Sequence, residues 1–203
     1  MDINFKEMNK DLLSESSGGS TRGLYQDIVE DSVLCKGQRP IMDRINLIEF
    51  PKDSVLDIGC NVGSICHYYD YKGVKLVYGI DKNVTFIKWA SKMTPNGEFL
   101  CIDLDKFDVT ILGGKKFDTV LFLAVWDYFE NKTRIVEFLK ACVGRVLYFE
   151  GHADGKERID KDIVDKGITY KSWKSILEEE IGINYKFIGM TEKNKRPFFK
   201  CWW

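Results

Sequence analysis

The chain has 203 residues, of which 44% are hydrophobic and 13% aromatic, enough apolar side chain for the core of one domain without disulfides or a structural metal. Its 30 Lys and Arg residues against 31 Asp and Glu residues leave a formal net charge of −1. The sequence lacks the basic excess typical of proteins that bind nucleic-acid backbones, so it permits a nucleic-acid partner without favouring one.

The first 22 residues are polar and include the run Ser-Ser-Gly-Gly-Ser at positions 16–20. A segment of this composition buries too little apolar area to offset the entropy that it loses on ordering. We therefore predict a flexible arm at residues 1–22, which could close over a bound ligand, and a single domain at residues 23–203.

Residues 24–50 carry apolar side chains at three- and four-residue spacing, interrupted by Gly37 and Pro40, which predicts two helices joined by a turn. After Pro51, short apolar runs alternate with amphipathic segments. The apolar runs predict strands at residues 54–58, 76–80, 99–102, 117–123 and 146–149. The amphipathic segments predict helices at residues 63–71, 84–93 and 132–142. Strands that are almost wholly apolar are typical of a parallel sheet covered on both faces, so this alternation predicts a doubly wound α/β fold.

The last third of the chain has a different pattern. A helix is predicted near residues 170–180, followed by two apolar runs at residues 185–191 and 197–203 with a polar turn at residues 192–195 between them. Two runs so close in sequence form an antiparallel hairpin. The complete prediction is a mostly parallel, seven-stranded sheet with an antiparallel hairpin at its C-terminal end.

The first predicted strand leads into a glycine-containing turn at residues 55–63, Val-Leu-Asp-Ile-Gly-Cys-Asn-Val-Gly. Such a turn lets a ligand approach the backbone closely, and ligands of open α/β sheets bind outside the carboxyl ends of the strands. Asp81 ends the second strand about twenty residues later, where a carboxylate can accept both hydroxyls of a ribose. This pattern indicates a cofactor that contains adenosine.

Asp57, just before the turn, separates two classes of cofactor. An acid at this place repels the pyrophosphate of a dinucleotide and attracts the ammonium group of S-adenosylmethionine (SAM). At this point the chain resembles the class I SAM-dependent methyltransferases, whose first motif is an acid followed by Gly, any residue, Gly or a substitute, any residue and Gly. Asn61 stands in place of the middle glycine. The resemblance extends from about residue 24 to the C-terminus.

The resemblance implies a role for residues at the first two strand ends. Gly59, Cys60 and Gly63 would shape the pocket for the methionine part of SAM, and Asp81 would bind the ribose.

Further implied contacts concern the adenine. Lys82 or Asn83 would lie beside the ring, Asp103 would accept a hydrogen bond from its amino group, and Ile102 or Leu104 would pack on it. The predicted cofactor-binding set is Tyr25, Arg39, Asp57, Gly59, Cys60, Asn61, Gly63, Asp81, Lys82, Ile102, Asp103, Leu104, Leu123 and Ala124.

The acceptor side is implied by residues 117–126, which match the fourth strand of the family, whose final residues line the cleft between methyl donor and acceptor. The predicted acceptor-binding residues are Trp126, Tyr128 and Arg196. The candidate catalytic residues are Asp127, Glu150 and His152, among which the histidine could take a proton from an acceptor hydroxyl or amine.

Each acceptor-side residue also has a plainer interpretation. Asp127 could be an acid at the start of a helix, where negative charge is favourable, and Glu150 could pair with a nearby cation. The aromatic residues could be ordinary packing. The basic cluster of the C-terminal hairpin could meet an anionic acceptor or could simply keep the hairpin soluble. Its members are Lys193, Lys195, Arg196 and Lys200.

The six cysteines form no CxxC pair and no metal-ligand spacing with His67 or His152, so we expect reduced, mostly buried thiols and no metal site. No apolar run reaches the roughly 18 residues that a membrane span needs, and the first residues are too polar for a signal peptide. These features predict a cytoplasmic protein without a membrane partner. They do not indicate an oligomeric state.

Three functions are consistent with these residues. The leading expectation is a SAM-dependent enzyme that methylates an oxygen or nitrogen atom of a small molecule or saccharide. The second is an RNA-modifying enzyme, because residues 147–152 and 189–199 resemble bacterial members near the tRNA wobble-uridine carboxymethyltransferase branch. The third is a non-catalytic SAM-binding partner that regulates another enzyme.

Overall fold

A computed structural model describes residues 3–14, 23–152 and 157–203. Its helices are α1 Phe5–Ser14, α2 Met42–Ile45, α3 Ser64–Tyr71, α4 Val84–Met93, α5 Lys132–Cys142, α6 Glu157–Asp160 and α7 Trp173–Ser175. Its strands are β1 Ile28–Val29, β2 Val33–Cys35, β3 Ser54–Ile58, β4 Leu76–Asp81, β5 Glu98–Cys101, β6 Phe117–Leu123, β7 Val143–Glu150, β8 Ile163–Asp165, β9 Ile168–Tyr170, β10 Asn184–Met190 and β11 Pro197–Trp202. Short 3-10 helices cover Val109–Leu112 and Trp126–Tyr128, and a π-helical segment, Ile176–Ile181, continues α7.

The chain divides into two compact units, and the first covers Met1–Asp103. In this unit β4 pairs in parallel with both β3 and β5, so the carboxyl ends of the three strands lie at one edge. Every residue of β3 is buried, as its apolar sequence predicts. Asn83 caps the N-terminus of helix α4, because its side chain accepts hydrogen bonds from the backbone N–H groups of Thr85 and Phe86.

The start of the first unit differs from the prediction at two places. Residues 5–14 of the predicted flexible arm form helix α1, which buries Met8 and Leu12, whereas residues 15–22 of that arm lie outside the described ranges. The predicted helix after residue 24 is an antiparallel hairpin of β1 and β2. The side chain of Asp27 explains why a hairpin forms here instead of a helix. Its carboxylate accepts a hydrogen bond from the backbone N–H of Gly37 at 2.6 Å, which stabilises the reversal of chain direction.

The second unit covers Leu104–Trp203. Strands β6 and β7 are parallel, β11 is antiparallel to β7, and β10 is antiparallel to β11, so the predicted C-terminal hairpin is confirmed. The core of this unit is rich in aromatic side chains, with Phe149 in contact with Phe122, Trp126 and Trp173. These aromatic contacts lie beside the carboxyl ends of β6 and β7, where acceptor-side residues are predicted.

The sheet has seven strands and is mostly parallel, which confirms the predicted α/β fold class. Helices α4 and α5 have the predicted bounds. The helix predicted near residue 170 begins instead at Trp173, because residues 168–170 pair with residues 163–165 as a second small hairpin. Its turn places Lys166 and Gly167 at φ values of 49° and 80°, the left-handed conformation that tight hairpin turns require.

All six cysteines are free thiols, and Cys60, Cys66, Cys142 and Cys201 are buried, as predicted. Among the described helices, none has both the length and the apolar composition needed to cross a membrane. Within the same ranges, His, Cys, Asp and Glu side chains form no group of three that could hold a metal ion.

Candidate functional site

The turn after β3 has an unusual backbone that its sequence explains. Gly59, Asn61 and Gly63 adopt φ values of 77°, 54° and 75°, the left-handed region that disfavours most side chains. Asn61 is tolerated there because its side-chain oxygen accepts a hydrogen bond from the backbone N–H of Val62 at 2.8 Å. Gly63 is needed for a second reason, since a Cβ atom at this position would lie 2.8 Å from the Cβ atom of Ala90. The turn is therefore a rigid, glycine-dependent connection between β3 and α3.

Asp81 lies at the end of β4 and is tied to the turns on both sides. One carboxylate oxygen accepts from the backbone N–H of Asn61 at 2.9 Å, and the other accepts from the backbone N–H of Asn83 at 2.9 Å. Burial raises the pKa of Asp81 above its ordinary value, and these two N–H donors act in the opposite direction. Because a carboxylate has about four acceptor positions, Asp81 can also accept hydrogen bonds from ribose hydroxyls.

Asp57 lies at the end of β3 and is only 4% exposed. Burial, assisted by the charge of Asp81 and opposed by that of Arg44, raises the pKa of Asp57 from 3.8 to about 7. The cation whose charge acts on this carboxyl group, Arg44, is itself buried at 4% exposed. A buried acid of this kind is stabilised in its charged form by a cationic ligand, so Asp57 fits the ammonium group of SAM.

Backbone hydrogen bonds hold several of the remaining predicted cofactor residues of the first unit. The backbone N–H of Arg39 donates to the carbonyl of Tyr25 at 2.9 Å, and the N–H of Ile102 donates to the carbonyl of Asp81 at 2.9 Å. Ile102 is 7% exposed, whereas Lys82 is exposed and its carbonyl accepts from the thiol of Cys101 at 3.6 Å. Hydrogen bonds thus join the carboxyl ends of β4 and β5.

The candidate residues of the second unit begin at the end of β6. Leu123 and Ala124 are each 6% exposed, and Ala124 has a φ of 59° although it is not glycine. Its backbone N–H donates to the carbonyl of Glu150 at 2.9 Å, which holds this unfavourable conformation in place. Backbone strain of this kind clusters at functional sites, so Ala124 marks the carboxyl end of β6 as a candidate site. Leu104, at the start of this unit, is buried.

Asp127 is held by Arg158, a residue that sequence reasoning missed. The guanidinium group donates to both carboxylate oxygens, at 2.8 and 3.2 Å, and its Nε donates to the carbonyl of Lys171 at 2.7 Å. Arg158 is 2% exposed and lies 3.9 Å from the centre of the Trp173 ring. An arginine within a charged stretch of sequence gives no signal that it will be buried, which explains the omission.

Trp126 and Tyr128, both predicted to face the acceptor, have opposite surroundings. Trp126 is 2% exposed and packs against Phe122 and Phe149. These surroundings are those of a core residue. Tyr128 is 67% exposed, and its ring lies edge-on to the imidazole of His152 at 5.1 Å. The structure therefore brings Tyr128 and His152 together at the surface of the second unit.

Glu150 and Arg196 form a buried pair. Glu150 is fully buried, and its carboxylate lies 3.8 Å from a guanidinium nitrogen of Arg196. The backbone N–H of Arg196 donates to the hydroxyl of Thr191 at 3.0 Å, which fixes the turn of the C-terminal hairpin. The charge of Arg196 is thus partly neutralised by Glu150. The basic cluster of the hairpin turn therefore has less net positive charge than the sequence suggests.

A model of the protein family described as a methyltransferase domain matches residues 35–185 of this chain. The matched range contains the turn after β3, both acids and the carboxyl ends of β6 and β7. Among curated protein sequences there is no match to the chain.

Solved structures with the same fold include three methyltransferases. A SAM-dependent methyltransferase from Aquifex aeolicus is 19% identical, with a TM-score of 0.56 over 79% of this chain and 90% of that protein. CalS10 from Micromonospora echinaspora, an amino pentose methyltransferase, is 14% identical, with a TM-score of 0.56 over 79% of this chain and 87% of that protein. The plantazolicin methyltransferase BpumL is 20% identical, with a TM-score of 0.53 over 73% of this chain, which spans 63% of BpumL.

Proposed function

Because this chain belongs to the methyltransferase-domain family and is a class I SAM-dependent methyltransferase, we propose that it methylates an oxygen or nitrogen atom of a small molecule or sugar. One observation supports SAM as the cofactor: the two acids at neighbouring strand ends have different surroundings. The Asp81 carboxylate is held by two backbone N–H groups, whereas Asp57 is buried and burial raises its pKa to about 7. Bound SAM supplies a methyl group on a sulfonium, which is already activated for transfer.

The proposed work of the first unit is binding. Asp81 accepts the ribose hydroxyls, Asp57 pairs with the ammonium group, and the left-handed turn at Gly59 and Gly63 allows close approach of the ligand to the backbone. Ile102 packs against the adenine, and Asp103 accepts from its amino group. Each contact holds the cofactor in one orientation, which is the main requirement of a transfer between two bound molecules.

The proposed work of the second unit is acceptor binding and proton removal. We assign proton removal to His152 rather than to Asp127, because the carboxylate of Asp127 already receives both guanidinium donors of Arg158. An imidazole can accept a proton at neutral pH, and the exposed ring of Tyr128 beside it offers a surface for a small acceptor. CalS10, a solved structure with this fold, is an amino pentose methyltransferase, which supports a sugar as one candidate acceptor.

The experiment that tests the proposal is calorimetric titration with SAM and with S-adenosylhomocysteine (SAH). We expect the wild-type protein to bind both, and Asp81→Ala to weaken binding by at least about tenfold, since two charge-assisted hydrogen bonds are lost. Asp53→Ala is the matched control, because Asp53 precedes the same strand β3 and its side chain forms an exposed ion pair with Lys75. Absence of binding to the wild-type protein would overturn the cofactor site.

A screen of acceptors, with SAH formation as the readout, then separates the three functions. Turnover on amines, hydroxyl compounds or sugars supports the proposal. Turnover on tRNA, with affinity that falls steeply as salt increases, would favour the RNA-modifying alternative instead. Tight SAM binding without turnover on any of these pools would favour the non-catalytic regulatory partner.

A further inference from the structure

Helix α1 is docked on the first unit through a buried apolar face. Met8 is fully buried and Leu12 is 4% exposed. The cluster that they enter combines residues from three other places in this unit: helix α4, the turn after β3, and the stretch that runs from Leu24 into β1. Those residues are Trp89, Met93, Val62, Leu24 and Ile28.

Two directed hydrogen bonds fix how α1 lies on this cluster. The indole N–H of Trp89 donates to the carboxylate of Asp11 at 3.0 Å, which joins α1 to α4. The side-chain oxygen of Asn9 accepts from the backbone N–H of Leu24 at 3.1 Å, which joins α1 to the residue before Tyr25. Apolar contacts alone permit sliding, whereas these bonds select one position of the helix.

The elements that α1 contacts are those that place Asp81 and its neighbours. Val62 follows Asn61, and Asn83 immediately precedes helix α4. The backbone N–H groups of Asn61 and Asn83 are the two donors to the Asp81 carboxylate. Helix α1 therefore packs on Val62, which follows the first of these turns, and on helix α4, which follows the second.

We propose that Met8, Asn9 and Asp11 are positioning residues for the cofactor, and that the docking of α1 and the binding of SAM stabilise each other. This inference rests on the cofactor site proposed above. Coupling between two such events is reciprocal, so a change that weakens docking lowers cofactor affinity, and bound cofactor protects α1 from opening. Couplings of this kind typically change an affinity by about 5–150-fold.

The test compares three variants of α1 in the full chain, with SAH as the probe. Asp11→Ala removes the acceptor of the indole N–H and should weaken SAH binding by about tenfold. Asp11→Asn keeps an oxygen acceptor and should recover most of the affinity, to within about threefold of wild type. Lys10→Ala changes an exposed residue of the same helix and should bind SAH as the wild-type protein does.

A second readout separates positioning from a merely structural contact. A structural contact lowers the thermal stability of the free and the SAH-bound protein equally and leaves the dissociation constant unchanged. A positioning contact changes the dissociation constant, and SAH should slow hydrogen exchange of the α1 amides in the wild-type protein. If Asp11→Ala fails to fold, Asn9→Ala replaces it, because it removes the bond to the backbone N–H of Leu24 and has the same expected direction.

Unchanged SAH affinity in folded Asp11→Ala or Asn9→Ala, together with lost affinity in Asp81→Ala, overturns the coupling and leaves the proposed function standing. A wild-type protein that binds neither SAM nor SAH overturns both.

Discussion

Asp57 and Asp81 end neighbouring parallel strands, yet their surroundings give them different chemistry. Asp81 keeps two backbone N–H donors on its carboxylate. Asp57 is 4% exposed, and its elevated pKa arises mainly from burial. The two acids thus suit different parts of one ligand: a pair of hydroxyl donors for Asp81 and a positive charge for Asp57.

The elevated pKa of Asp57 makes cofactor binding depend on pH. Since that pKa is about 7 in the free protein and an ammonium ligand favours the ionised carboxylate, SAH affinity should fall as the pH decreases from 7 to 5. The limiting slope is a factor of about ten per pH unit for one linked proton. Calorimetric titration at several pH values measures the slope, and Asp57→Asn should flatten it. Equal slopes in both proteins would show that another group is linked to binding.

Protein stability should respond to the same group with the opposite sign. The ordinary pKa of 3.8 applies in the unfolded chain and the value of about 7 in the folded one, so the folded state binds the extra proton between them. The contribution of Asp57 to the free energy of unfolding therefore decreases as pH rises from 4 to 7. Asp57→Asn removes this dependence, while Asp53→Asn, which changes an exposed acid, retains it.

At the scale of helices and strands, the sequence predicted most elements that place the cofactor site. Strands β3, β4 and β6 follow from continuous apolar runs, and α4 and α5 from amphipathic spacing. The β1–β2 hairpin could not be predicted in this way, because the side chain of Asp27 closes it on the backbone of Gly37, ten residues away. Apolar spacing contains no information about such a bond.

The acceptor side was less predictable than the cofactor side for a related reason. Asp57, Asn61 and Asp81 belong to one motif with fixed spacing, so their sequence context shows their role. Arg158 reaches Asp127 from 31 positions away, and Glu150 meets Arg196 across the sheet. Long-range pairs of this kind depend on tertiary packing, which single-sequence patterns do not record.

The Arg158–Asp127 pair should contribute strongly to the stability of the second unit. Arg158→Ala leaves the carboxylate of Asp127 without its two donors and removes the buried guanidinium that packs on Trp173, so we expect a loss of about 1.5–3 kcal/mol in the free energy of unfolding. Arg158→Lys should restore little of this stability, because the ammonium group of lysine lacks the planar guanidinium geometry that donates to both carboxylate oxygens.

Denaturant unfolding with Arg145→Ala as the control tests this expectation. Arg145 also donates two hydrogen bonds to a single acid, Asp118, but its side chain is 36% exposed. An exposed pair of this kind should contribute less than about 1 kcal/mol. Similar losses for Arg158→Ala and Arg145→Ala would mean that burial does not strengthen the pair.

At the scale of the whole molecule, we propose that residues 23–203 unfold as one domain, because the strands of a single sheet lose their hydrogen bonds cooperatively. SAH at about 100 times its dissociation constant should then add about 2.7 kcal/mol of stability. For a chain of this length, that is a rise of about 5–10 °C in the midpoint of thermal unfolding. Differential scanning calorimetry should show one transition that moves as a whole, and a second transition unaffected by SAH would contradict the single domain.

The two backbone donors on Asp81 have a consequence for sequence divergence. An amide at position 81 would place its own N–H group against one of two backbone N–H groups, and an alanine would leave both without an acceptor. The acid is therefore constrained by the folded chain even when no cofactor is present. A descendant of this protein that had lost methyl transfer would therefore retain an acid at position 81, and that acid would indicate common ancestry and fold. The buried acid at position 57 would be replaced more readily once its ligand is lost.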